Sequence, residues 1–119
     1  MRPERLVILR GLAIAAGFVA LAAGSRHAAS EDSRALAYGR HLSGECSACH
    51  RIDGIDNGIP SITGWPVDDF VATLNFYRDG ARPNPAMVSV VSSLDDKQMY
   101  ALAVYYASLP KPARRVSPK

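Results

Sequence analysis

Gly44 to Gly54 reads "GECSACHRIDG" and holds both cysteines of the 119-residue chain, three positions apart, with a histidine directly after the second. A C-x-x-C pair alone fits a redox dithiol, half of a zinc site or a haem attachment point, and the adjoining histidine selects the last. On one helical turn Cys46 and Cys49 share a face, where their thiols can form thioethers with the two vinyl groups of a haem. His50 then falls beneath the iron as its proximal ligand. A thioredoxin-like dithiol needs a βαβ pattern, and no run in this chain alternates with period two. A structural zinc site needs four ligands, and only Cys46, Cys49, His50 and His41 are on offer, at a spacing unlike any finger.

The rest of the chain explains why a cofactor is needed. Arg2, Arg5 and Arg10 precede the apolar run Gly11 to Gly24, a pattern that reads as a secretory signal, too short to span a bilayer comfortably. Ala28 and Ser30 offer a cleavage site before Glu31, with a cut after Gly24 as the alternative; an uncleaved anchor is the competing reading, and Arg10 interrupts the longer apolar stretch it would need. The expected organisation is a signal peptide over 1–30, a single domain over 31–110 and a basic Pro-rich tail over 111–119. This implies a periplasmic protein with no stable membrane span after cleavage. About ninety residues are few for a self-sufficient core, and one C-x-x-C pair closes too short a loop to compensate. A buried porphyrin supplies the missing apolar mass.

Charge narrows the partners. Cleavage would remove four arginines and Glu4, leaving ten basic and ten acidic residues. Four of those ten basic residues lie in "KPARRVSPK", so residues 31–110 carry a net −4. No basic stripe marks the body, which argues against nucleic-acid binding.

The periodicity predicts an all-α chain. A first helix runs over roughly Glu31 to Ser43, capped by Ser30 or Ser33 and ended by Gly44. Residues 51–65 form an irregular loop rich in Gly, Asp, Asn and Pro. A second helix opens with Pro66 at its first position, buries Phe70, Val71, Leu74 and Tyr77, and stops at Gly80. "ARPNPAM" reads as another loop. Ser93 with Asp96 resembles a capping box before a last helix that Pro110 terminates. Trp65 and Phe76 read as core or haem-packing aromatics.

A sixth iron ligand would separate electron transfer from binding of small molecules. His27 leaves with the signal, so His41, Met87 and Met99 remain. Met99 lies on the apolar stripe of the last helix and reads as core, and His41 is tethered only five residues before Cys46. Met87, in the Pro-punctuated segment and well separated from His50, is the expected distal ligand.

Through "CSACH", "GIPSITGW", "RPNPAM" and "LDDKQMYALAVYYASLP", residues 34–110 resemble the class I c-type cytochromes, the small bacterial monohaem kind. The resemblance implies three to five helices wrapped around one covalent haem c, with the first and last helices crossing at Gly39 and Tyr105 or Tyr106. It also implies that the carbonyl of Pro60 accepts the Nδ1 proton of the proximal histidine, and that the protein carries single electrons and is no enzyme itself. "GIPSI" and "NPAM" further resemble the cytochrome subunits of flavocytochrome c sulfide dehydrogenases, which implies a flavoprotein as redox partner. A free carrier, such a subunit and a five-coordinate ligand sensor are the readings to be separated.

Overall fold

The computed structural model describes residues 27–112, which are helical or irregular and contain no strand. The chain divides between Ser33 and Arg34. Most of the expected signal and most of the expected tail lie outside the described residues. Residues 27–42 are helical (α1), followed by α2 at Gly44–Ser47, α3 at Val67–Arg78, α4 at Pro85–Val91 and α5 at Asp96–Ser108. The fold is all-α, as expected, and consistent with that of a cytochrome c.

Local chemistry moved several boundaries. Ser30 and Ser33 do not cap α1; their hydroxyls bond back to the carbonyls of His27 and Ser30 within it. Pro66 stands one position outside α3 as its N-cap, its carbonyl accepting from Phe70 N at 3.0 Å. Gly80, with φ of +75°, follows the C-cap Asp79. "NPAM" is a helix start rather than a loop, because the Asn84 side chain accepts from Met87 N and Pro85 occupies the first turn. The capping box before α5 is Asp95 with Gln98, not Ser93 with Asp96. Asp95 accepts from Gln98 N at 2.7 Å, and Gln98 accepts from Asp95 N at 2.9 Å. Ser93 instead donates to Val90 in the turn that closes α4.

The core is built on α5, which buries Met99, Ala101, Leu102, Ala103, Tyr105 and Tyr106. It packs on α3, where Phe70 stacks on Tyr106 with centroids 5.6 Å apart, and α3 in turn packs on α4. Trp65 is half-buried and meets Phe70 edge-on at 6.4 Å. Phe76 is no core residue: it is 52% exposed, off the Phe70–Leu74–Tyr77 stripe of α3. Arg78 ties the end of α3 to the start of α5 through Asp96 at 2.7 Å.

The crossing of α1 over α5 is set by Gly39. A β-carbon there would fall onto the carbonyl of Ala101 and come within 2.8 Å of Tyr105 Cβ. The two backbones touch, as only glycine permits. Tyr106 reinforces the contact, its hydroxyl donating to the Ser43 carbonyl at 3.4 Å.

Candidate haem site

The motif is laid out by one helical turn and its continuation. Ala48 N bonds to Gly44 O, and His50 N bonds to Cys46 O at 2.8 Å, so the turn started by α2 carries through to the histidine. The two cysteines are not joined to each other, and they differ in surroundings: Cys46 is half-buried against the core, whereas Cys49 is exposed. Burial pushes the Cys46 thiol up, a hydrogen bond with the Tyr106 side chain opposes that, and Glu45 adds to it. The Tyr106 hydroxyl is itself raised, first by burial and then by the nearby Cys46 and Tyr105.

His50 is buried, 8% exposed, and its Nδ1 lies 2.7 Å from the carbonyl oxygen of Pro60. A carbonyl can only accept, so Nδ1 carries the proton and Nε2 keeps its lone pair for a metal. The intervening loop turns on acidic side chains. Asp53 accepts from Ile55 N and pairs with Arg51; Asp56 accepts from Gly58 N. The Arg51 guanidinium holds Asp53 down at about 2, helped by the Ile55 amide. Ile52, Ile55 and Ile59 of this loop are exposed.

Met87 occupies the first turn of α4, half-buried, and packs against the same cluster as Cys46, Ile62 and Trp65. Met99 is fully buried within α5, and His41 is exposed on α1. The structure therefore joins Pro60 directly to His50, while Met87 stands on a separate helix at the edge of the core that Cys46 also borders.

These residues suit a haem. Two thiols on one turn, a histidine with Nδ1 already engaged and Nε2 left for a metal, a half-buried thioether and exposed apolar loop side chains make up the donor set and surface that a covalent porphyrin requires. No three His, Cys, Asp or Glu side chains among the described residues converge as a metal site of their own. No helix among them is long and apolar enough to cross a membrane. A cavity of about 450 Å³ lined by Thr63, Gly64, Trp65, Pro66, Asp69, Lys111 and Pro112 lies apart from the motif, touching neither cysteine nor His50.

Sequence reasoning missed that last region. Lys111 and Pro112, read as tail, pack on the loop glycines, and Thr63 is fully buried with its hydroxyl 3.1 Å from that of Ser61. Only the glycines signalled it, since a chain approaching a loop closely needs positions without side chains.

No protein-family model matches the chain. It is similar to the thiosulfate dehydrogenase electron acceptor of Thiomonas intermedia (strain K12), 37% identical over 76 residues, covering 61% of this chain and 35% of that protein. The thiosulfate dehydrogenase electron acceptor of Stutzerimonas stutzeri (strain A1501) is 31% identical over 70 residues, covering 56% of this chain and 32% of its own length. The chain thus spans about a third of the length of these curated relatives.

Proposed function

We propose that this chain is a monohaem c-type cytochrome of the periplasm that accepts electrons one at a time from a reduced-sulfur dehydrogenase and passes them on. The observation that carries the reading is the 2.7 Å bond from His50 Nδ1 to Pro60 O directly behind a C-x-x-C-H turn. In it, Cys46 and Cys49 would hold haem c through thioethers, and His50 and Met87 would be the residues that ligate its iron. A haem held in this way supplies a one-electron ferric/ferrous couple, and a His/Met pair places its potential high. The chain's own contribution is orientation. Pro60 fixes the imidazole plane and raises its basicity, and the α3–α5 core keeps the motif turn rigid.

The named relatives support thiosulfate dehydrogenase as the class of donor. A flavoprotein sulfide dehydrogenase, suggested by the loop wording alone, gains no support from them. The electron-acceptor name also favours a transfer protein over an enzyme or a ligand sensor.

Covalent attachment is the first test. After denaturing electrophoresis, haem-linked peroxidase staining should follow the polypeptide, and Cys46→Ala with Cys49→Ala should abolish it. Two freely alkylated thiols in the native protein would sink the reading. Reduction of the purified protein by thiosulfate together with a thiosulfate dehydrogenase, and not by thiosulfate alone, tests the donor.

A further inference from the structure

The loop carrying Pro60 is bracketed by two glycines in left-handed conformation, Gly54 at φ +77° and Gly64 at +68°. Both are pressed by the chain that follows α5. A β-carbon on Gly64 would stand 2.8 Å from Lys111 N and 2.9 Å from Lys111 Cα; on Gly54 it would stand 3.1 Å from Pro112 Cβ and 2.9 Å from Thr63 Oγ1. Gly64 N also donates to the Tyr106 carbonyl at 2.8 Å, which fixes that end of the loop to α5. Between these two anchors, residues 55–60 are exposed. The bond to His50 and the local turns at Asp53 and Asp56 are few for ordering six exposed residues. The ends of the loop, where Lys111 and Pro112 sit, add the remaining constraint.

We propose that Lys111 and Pro112 clamp the Gly54–Gly64 loop so that the Pro60 carbonyl stays on His50 Nδ1, which makes them positioning residues for the proximal ligand. The consequence for the iron rests on the reading of His50 as its ligand. The clamp itself acts on a bond between protein groups. A loosened clamp lets Pro60 withdraw, and the imidazole becomes a poorer electron donor. The ferrous state then gains relative to the ferric, and the potential rises.

The test uses full-length holoprotein carrying Lys111→Gly with Pro112→Gly, which keeps the chain length but removes the stiff segment and its side-chain contacts. Arg114→Gly with Arg115→Gly, just beyond it, is the control. Hydrogen exchange followed by NMR should show the His50 Nδ1 proton and the Gly64 amide exchanging at least about tenfold faster in the clamp variant, with the amides of Leu102 and Ala103 in α5 unchanged. The reduction potential should rise in that variant and stay put in the control. Equal exchange in both variants, or an acceleration shared by α5, overturns the clamp. If the double variant does not accumulate, Pro112→Gly alone, which removes the β-carbon that meets Gly54, is read in the same way and must move the same two protons. Full-length protein without haem would overturn the cytochrome reading instead, and exchange at His50 and Gly64 would still decide the clamp.

Discussion

His50 divides its work between two nitrogens. Nδ1 is committed to Pro60, so the protein decides which way Nε2 faces before any metal is present. The two buried or half-buried methionines divide in a similar way. Met99 is wholly enclosed by α5 and its neighbours, whereas Met87 borders the core at the first turn of α4. Under the proposed ligation, Met87→Ala should open the iron to cyanide or carbon monoxide and lower the reduction potential, both read by optical titration. Met99→Leu, which keeps the volume, should cost under about 1.5 kcal/mol and leave the spectrum alone. An exchange of the two phenotypes would reassign the distal ligand to α5. Tyr106 gives a prediction in pH. Its folded hydroxyl holds its proton more tightly than an ordinary tyrosine, whose value is 10.0, because burial disfavours the phenolate. The unfolded chain then loses that proton first, so the related stability is complete below about pH 10 and drains away as the pH rises above it. In thermal melts between pH 8 and 11, Tyr106→Phe should flatten the alkaline fall in melting temperature while keeping the stack on Phe70.

At the scale of elements, the close approach of α1 and α5 at Gly39 is the most exacting demand of the fold. A methyl group there meets the Ala101 carbonyl, which is helix backbone and cannot rotate away. Gly39→Ala should cost at least about 3 kcal/mol, the upper end of ordinary overpacking, and should lower the yield of haem-loaded protein. The cap of α5 is a milder case: Asp95→Ala removes one arm of a two-armed box and should cost about 1 kcal/mol in a denaturant titration. α3 and α5 were legible in the sequence because their apolar stripes run for three turns and end on Gly80 and Pro110. The seven-residue α4 was not legible. Asn84 and Pro85 serve equally as turn residues and as a helix start, and the helix is too short for periodicity to decide between them. The motif turn and its histidine could be read directly, since their spacing is their chemistry. Pro60 became visible only through resemblance, because a carbonyl acceptor has no sequence signature, and the Lys111–Pro112 contact had none beyond the glycines it presses on.

Over the whole molecule, charge is unevenly spread. Residues 31–110 carry a net −4, and four positive charges follow within the last nine residues. A transient electron acceptor gains from such asymmetry, because its field orients the approach to a donor and no large contact has to be broken afterwards. A permanent subunit would instead bury an apolar surface, for which the exposed Ile52, Ile55 and Ile59 beside the motif are the available side chains. The two arrangements respond oppositely to salt. Raising ionic strength from about 0.01 M to about 1 M shortens the screening length from about 30 Å to about 3 Å, which removes steering and leaves apolar contact intact. For the transient acceptor proposed here, the second-order rate of reduction by thiosulfate dehydrogenase should change at least about tenfold over that range. Arg114→Glu with Arg115→Glu should alter the low-salt rate and leave the high-salt rate unaltered, which would place the tail within the steering field. A rate indifferent to salt, with co-elution of the two proteins in 1 M salt, would mean that the chain is a fixed subunit docked through its isoleucines, and Ile55→Asp should then separate the pair.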